Sequence, residues 1–390
     1  MVRRLATPPK MANRKRRRST EFGILLIDKP PGPTSFDVVG WVRWALHERT
    51  VGHCGTLDPP ASGLLVVCLG EATKLVEHLT NDDKRYRARF ALGRSTTTAD
   101  AEGETLSVAE VPPGAEAEGA EILRSLIGEL QLPPPDFSAV KLDGKRAHEL
   151  ARAGKPLDLP ARSMAIHSLE LLGHGRDPDG GAWIDVELEV AKGTYVRSLA
   201  EEVGRQLDVP AHLASLRRVG SGDLRVDDPR VVTGLVPVHL PEIEGRPPKW
   251  RVEFPADPAA AGASVTPGQD PGQGRGDADA QQRAEAGARL RGHMSKPWDR
   301  LPFPVSLLPD AGAHEGLMTR MIQGQRLGAS PSNCATLQIP DGEGLCVLVH
   351  QARGLMMLVR REHHDGGPLR RLAPTRVLRF EPEPESNPSH

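Results

Sequence analysis

The sequence predicts an α+β fold in two parts, a mixed sheet with helices followed by a smaller β-rich unit. Strand-like alternation at 86–92 and 183–190 is interspersed with helical spacing near 36–46, 71–79, 122–130 and 196–207, without the regular beat of a doubly wound fold. Residues 255–297 then turn to Ala, Gly, Pro, Gln and Asp, with almost no large apolar side chain. Beyond them, short β-like runs separated by turn residues recur at 345–349, 355–360 and 376–380.

Composition narrows the class. The chain has 390 residues, 38% hydrophobic and 26% charged, enough for a sizeable core divided between two domains. It holds no run of about 18 apolar residues and no apolar signal core, so a cytoplasmic protein without a membrane span is expected. The cysteines at 54, 68, 334 and 346 have neither CxxC nor zinc spacing and read as reduced thiols. The net charge is −1, yet residues 1–20 carry eight Lys or Arg and no acid. Such a tail cannot bury itself and is expected to be disordered, serving either to attract RNA or to keep the chain in solution. Met11 offers a second point at which the chain could start.

The elements follow in order. Thr34 or Ser35 can cap a helix that begins near Phe36 and places Val38, Val42, Ala45 and Leu46 on one face. Residues 60–70 are apolar and punctuated by glycine, as in a buried strand or turn, and Glu71 to Leu79 reads as a second helix. Tyr86, Ala88, Phe90 and Leu92 alternate with polar neighbours, as do Ile184, Val186, Leu188 and Val190, so both stretches read as half-buried strands. Between them, Ile122, Leu123, Leu126, Ile127 and Leu130 mark a helix, and Val196, Leu199, Ala200, Val203 and Leu207 mark another. Residues 255–297 read as a flexible linker or insertion, and 381–390 as a loose tail.

One short stretch could hold a reacting group. In Gly52-His53-Cys54-Gly55-Thr56-Leu57-Asp58-Pro59, glycines and a proline bracket a single carboxylate and leave it little freedom, as catalysis requires. Asp58 reads as a catalytic group or as a turn cap. Adjacent His53 and Cys54 rarely face each other, so Cys54 reads as a space filler. Tyr86 is a core aromatic or a stacking surface for a base. Arg197 falls in the first turn of its helix, where a cation is badly placed for the helix dipole, so it is either solvated or paired with a carboxylate such as Asp58, ideally through a bidentate fork. Lys141, Lys145, Arg146, Arg152 and Lys155 lie in a basic loop that could track a phosphate backbone or merely face solvent. There is no Walker loop, no GxGxxG after a strand, no HExxH and no serine elbow, so no nucleotide-cofactor or metal chemistry is indicated.

Taken together and in order, these pieces resemble the bacterial tRNA pseudouridine synthases of the TruB type. The fragments are GILLIDKPPGPTSFDVV at 23–39, VGHCGTLDPPASGLLVVCLGEATK at 51–74, DKRYRARFALG at 83–93, DAEGE at 100–104, PPPDFSAVKLDGKRAHELARAG at 133–154, KGTYVRSLAEEVG at 192–204 and AHLASLRR at 211–218. The C-terminal part, with GQR at 324–326 and PTRVL at 374–378, is more loosely similar to the PUA-like barrel of that family. The resemblance implies a basic tail at 1–20, a catalytic domain at 21–245 with an RNA-clamping loop at 131–155, a linker at 246–300, a PUA-like RNA-binding domain at 301–382 and a tail at 383–390.

It also implies an activity, the isomerisation of uridine to pseudouridine in the T-arm loop of tRNA after the base is flipped out. Asp58 matches the catalytic aspartate, acting by attack on the sugar, attack on the base or removal of the 2′ proton. Tyr86 matches the aromatic that stacks on the flipped uracil, Arg197 the arginine paired with the aspartate, and His53 a histidine that occupies space beside the flipped-out base. Lys29, Tyr195 and Leu216 match further pocket positions. The resemblance implies no cofactor, no metal and no obligate protein partner, with a monomer acting on tRNA. An RNA-folding module without needed catalysis and a guide-RNA-dependent synthase are the alternatives.

Overall fold

A computed structural model describes residues 19–138, 140–142, 144–152, 158–178, 180–240, 249–254, 275–340, 342, 344–363 and 369–382. The basic cluster at 14–18, Lys155 and the chain end from 383 lie outside the described residues.

The N-terminal half begins with strand β1 (Gly23–Lys29) and helix α1 (Ser35–Leu46). Thr34 caps α1, its hydroxyl accepting from the Asp37 N–H while the Asp37 carboxylate accepts from the Thr34 N–H, a reciprocal box that fixes where the helix starts. Strands β2 (Val51–His53) and β3 (Ser62–Leu69) follow, then a 3-10 turn Gly70–Leu75, short helix α2 (Val76–Thr80) and strand β4 (Lys84–Leu92). Next come the hairpin β5 (Arg94–Thr96) and β6 (Thr105–Val108), helix α3 (Ala115–Ser125) and strand β7 (Gly128–Leu132). The stretch expected to clamp RNA contains a hairpin, β8 (Lys141–Leu142) with β9 (Lys145–Arg146), and helix α4 (Ala147–Arg152). Strands β10 (Arg162–Arg176) and β11 (Ala182–Val190), helix α5 (Val196–Leu207) and strands β12 (Ala211–Ser221), β13 (Leu224–Arg225), β14 (Val231–Val232), β15 (Val236–His239) and β16 (Trp250–Glu253) complete this half.

The main sheet runs β14-β1-β3-β12-β4-β11-β10-β7, with β2 added on β3 and β13 on β12. Most pairs are antiparallel, but β3 meets β12 in parallel through Ser62↔Arg217 and Gly63↔Arg218. That junction is tight: Gly63 has φ +99°, and a Cβ there would lie 2.2 Å from the Arg218 carbonyl oxygen. β1 and β3 are covered on both faces, which explains their unbroken apolar runs. One face packs Leu25, Ile27, Leu65 and Val67 against the helices, and the other packs Ile24, Leu26, Leu64 and Val66 against the C-terminal unit. β4 and β11 alternate because only one face is covered. Their outer face carries directly opposed ion pairs, Arg85–Glu189 at 2.8 Å, Arg87–Glu187 at 2.7 Å and Arg89–Asp185 at 2.6 Å.

Two expectations are corrected here. The helix expected through Leu130 ends at Ser125, and Leu130 belongs to β7, because Gly128 at φ +119° breaks the chain direction. The expected linker is folded over part of its length: helix α6 (Arg275–His293) packs on α1, burying Ala286 and Leu290, and Ser295 bridges to Ile24. Small residues let α6 come close, and a Cβ on Gly287 would lie 2.7 Å from the Ala45 carbonyl oxygen. Residues 255–274 lie outside the described residues.

The C-terminal unit has strand β17 (Val305–Leu307), helix α7 (His314–Ile322), strand β18 (Leu327–Gly328), helix α8 (Pro331–Thr336) and strands β19 (Gly344–His350), β20 (Leu355–His363) and β21 (Leu369–Arg379). Its sheet runs β17-β19-β20-β21-β18. Val347, Val349, Met356, Leu358 and Leu378 share one apolar cluster with β1 and β3, and Phe22 stacks on Phe380 at 4.8 Å.

Candidate active site

Asp58 lies in the segment between β2 and β3, beside the β3–β12 junction. The chain is staked on both sides of it. On one side, the Ser35 hydroxyl donates to the Leu57 carbonyl at 3.0 Å and accepts from the Leu57 N–H at 2.9 Å. On the other, the Pro59 carbonyl accepts from the Gly32 N–H at 2.8 Å and from Lys29 Nζ at 3.1 Å. The end of β1, the start of α1 and the turn between them therefore hold both neighbours of the carboxylate, and Arg218 Nη2 holds the Gly55 carbonyl further back at 3.1 Å.

Arg197 meets Asp58. Its Nη2 lies 2.9 Å from Asp58 Oδ2, the arginine side chain 7% exposed and the carboxylate 42% exposed. The expected bidentate fork does not form, because the guanidinium is shared. Its Nη1 donates to the Thr98 carbonyl at 3.0 Å, its Nη2 also donates to the Phe137 carbonyl at 3.1 Å, and its Nε lies 4.0 Å from Asp100 Oδ2. A buried cation at the start of α5 is thus satisfied by carbonyls and two carboxylates. The cleft over this pair is lined by Asp58, Pro60, Asp100, Arg197, Leu213 and Leu216, so Leu216 shares a wall with the carboxylate.

Tyr86 is inward on β4, opposite Leu188 on β11 and Arg218 on β12. It belongs to the core cluster that holds Leu57 and Ala61, the apolar neighbours of Asp58. His53 is on β2 and meets the ring of Phe36 edge-on at 5.2 Å. Burial, helped by the charge of Arg218, lowers its pKa and favours the neutral imidazole.

Of the residues expected at the site, Asp58, Arg197 and Leu216 line the cleft, whereas Tyr86, His53, Lys29 and Tyr195 are not among its lining residues. Lys29 is 0% exposed. Its ammonium donates to the carbonyls of Pro30, Pro33 and Pro59 at 2.9, 2.7 and 3.1 Å, so it supports the site from beneath. Burial lowers its pKa to about 8 against the opposing pull of Glu102 and Asp58. Tyr195 packs with Val140, Leu142, Ala147 and Leu159, at the root of the β8–β9 insertion. Ser198 ties the same insertion to α5 by donating to the Pro133 carbonyl at 2.7 Å. The side chains of Lys141, Lys145, Arg146 and Arg152 lie outside what the structure describes. Cys54 is fully buried with its Sγ 3.7 Å from Cys68 Sγ, which suits a space filler.

Three residues near the site escape sequence reasoning. Asp100 is nearly buried and accepts from the Glu102 N–H at 3.1 Å; the DAEGE fragment carried its only signal. Arg218 is almost wholly buried, donating to the Leu64 carbonyl at 2.7 Å, and an arginine after another arginine gave no hint of this. Lys84 lies beside Arg218 near Gly55, and burial, then that positive charge, lowers its pKa to about 8. No metal-binding cluster of His, Cys, Asp or Glu occurs among the described residues.

The geometry can be set beside known proteins. A family model described as TruB family pseudouridylate synthase, N-terminal domain, matches residues 43–196. A Cereibacter sphaeroides protein named tRNA pseudouridine synthase B is 48% identical over 207 residues, covering 53% of this chain and 67% of that one. Proteins of the same name from Geobacillus kaustophilus and Bacillus pumilus are 44% and 41% identical, over 73% and 78% of their own lengths and 53% and 59% of this chain. Among solved structures, a Cbf5-Nop10-Gar1 complex and an archaeal box H/ACA sRNP Nop10-Cbf5 complex align with TM-scores of 0.53 and 0.55 at 21% identity. They cover 93% of this chain and 85% and 88% of theirs, a likeness of fold.

Proposed function

The chain belongs to the TruB family of pseudouridylate synthases, and on that premise we propose how its cleft performs the reaction. It is an enzyme that isomerises uridine to pseudouridine in tRNA. Its target is a uridine in the T-arm loop, flipped out of its stack to reach the carboxylate. The N1–C1′ bond breaks, the detached base turns within the pocket, and C5 bonds to C1′. N1 takes up a proton and C5 gives one up, so the reaction is redox-neutral and needs no organic cofactor.

Asp58 is the catalytic carboxylate, and the observation that carries this is its 2.9 Å pairing with the buried Arg197 at an open cleft. Arg197 pairs with Asp58 and aims it while the sugar carbon becomes electron-poor, a charge of the kind carboxylates stabilise or trap in glycoside cleavage. Tyr86 supplies the face on which the uracil rests, Leu216 lines the cleft beside Asp58, and His53 fills the space the base leaves. Lys29 positions the Asp58 segment, and Tyr195 seats the RNA-clamping insertion, whose Lys141, Lys145, Arg146 and Arg152 follow the RNA backbone. We read 21–245 as the catalytic domain and 301–382 as a PUA-like RNA-binding domain, with the chain acting as a monomer in the cytoplasm and no obligate protein partner.

The test is pseudouridine formation on a bare T-arm hairpin by purified protein, with the modified position mapped. Asp58→Ala should abolish the product while hairpin binding survives. Normal turnover by that variant would remove Asp58 from the chemistry, and a wild-type protein inactive without a guide RNA would place the chain in a different mechanistic class.

A further inference from the structure

We propose that Phe36 is a stacking platform for an unpaired nucleobase of the RNA, next to the target uridine and outside the catalytic pocket. The inference rests on the RNA-substrate reading above and adds a residue that reading leaves unused. Phe36 is 66% exposed, on a helix that buries Val38, Val39, Trp41 and Val42. An aromatic left this open beside the turn that carries Asp58 forgoes most of the burial that usually favours such a ring.

Its position is fixed from two directions. The capping box between Thr34 and Asp37 sets the first turn of α1, and the neighbouring Ser35 hydroxyl bonds to both main-chain groups of Leu57, the residue before Asp58. Phe36 is therefore rigidly referenced to the catalytic carboxylate. The ring also meets His53 edge-on, at 5.2 Å between centroids and 82° between planes. An edge-on neighbour occupies one approach and leaves a broad aromatic face for another ring.

A single-stranded loop whose bases are splayed is recognised by such rings, because every base has a π-face. The occupant is a nucleobase rather than an apolar protein segment. Phe36 stands between polar Ser35 and Asp37, with the half-exposed Trp44 two turns further along α1, and its turn is tied through Ser35 to Leu57, the residue before the RNA-modifying carboxylate.

The experiment uses the full chain and T-arm hairpins in which single loop bases are replaced by abasic residues. Dissociation constants and single-turnover rates are measured for wild type, Phe36→Ala, Phe36→Leu and Phe36→Trp. Phe36→Ala should weaken hairpin binding about tenfold, the scale of one lost base–aromatic stack. Phe36→Leu should resemble Phe36→Ala, and Phe36→Trp should bind at least as well as wild type. One abasic position should cost wild type about tenfold and cost Phe36→Ala nothing further, the non-additivity expected of partners in contact. Additive losses at every position, or wild-type affinity in Phe36→Ala, would overturn the platform while leaving Asp58 chemistry intact. A wild-type protein that fails on every hairpin would instead count against the substrate reading itself.

Discussion

Replacing Ser35 with Ala isolates how the turn that carries Asp58 is held. The serine is 1% exposed, and its hydroxyl both donates to and accepts from Leu57, itself buried. Alanine fits the space and keeps helix propensity, so the change removes the two hydrogen bonds and little else. A buried main-chain group left unpaired costs about 1–3 kcal/mol, so two such groups bound the loss at about 2–6 kcal/mol, and partial relaxation of the turn puts the expected value near 3. That relaxation has a second consequence. Leu57 precedes Asp58, and a shift of about 1 Å in a reacting group can lower a rate about a hundredfold. Urea unfolding gives the first quantity, and single-turnover pseudouridine formation with saturating hairpin gives the second. The two should move together, with hairpin affinity within about threefold of wild type. A Ser35→Ala protein that unfolds within about 0.5 kcal/mol of wild type and turns over at the normal rate would refute the claim that this hydroxyl stakes the turn.

Other outcomes follow from the same geometry. Arg197→Lys should lower the single-turnover rate at least about a hundredfold, because one ammonium cannot span the carbonyls of Thr98 and Phe137 together with Asp58; unchanged kinetics would contradict the shared guanidinium. Lys84 titrates near pH 8 in the fold against 10.5 for a free lysine, chiefly through burial. Below that window both states are charged and the fold carries the burial cost; within it the unfolded chain holds the extra proton, so stability rises with pH. Lys84→Met should show a shallower rise in denaturant titrations across the window, the remainder belonging to Lys29, whose pKa burial also lowers to about 8, and parallel pH profiles for the two proteins would count against it. Ending the chain at residue 300 should expose Ile24, Leu26, Leu64 and Val66, seen as dye binding and aggregation; a well-behaved fragment with unchanged melting would show that the C-terminal unit is dispensable to the core.

The sequence carried the strand and helix pattern wherever one face stays wet. β4 and β11 alternate cleanly because their outer face is open, and α5 ends within a residue of where its apolar spacing stops. It carried less where tertiary packing sets the outcome. Leu130 continues a helical rhythm, yet Gly128 redirects the chain into an edge strand. α6 lacked a large apolar stripe because it packs through small residues against α1, so its composition resembled a linker. At the site, the Asp58–Arg197 pair was legible as a need, a cation at the wrong end of a helix and a carboxylate held still. The sharing of Arg197 with Thr98, Phe137 and Asp100 was not, because carbonyl acceptors leave no mark in the sequence. Arg218 was equally silent, since its burial depends on Leu64 and Gly55 offering carbonyls from distant segments.

The ladder of opposed charges on β4 and β11 bears on how the enzyme meets a polyanion. Arg85, Arg87 and Arg89 are each neutralised by Glu189, Glu187 and Asp185. An arginine so paired must give up its carboxylate to take a phosphate, and the exchange displaces little condensed cation from the RNA. The dependence of binding on salt concentration counts displaced cations, at about 0.7 to 0.9 per phosphate neutralised. These arginines should therefore be absent from the slope, and Arg87→Gln should leave it unchanged. Glu187→Gln, by freeing Arg87, should steepen it where RNA passes close by, turning a silent face of the sheet into a meter of how near the nucleic acid comes.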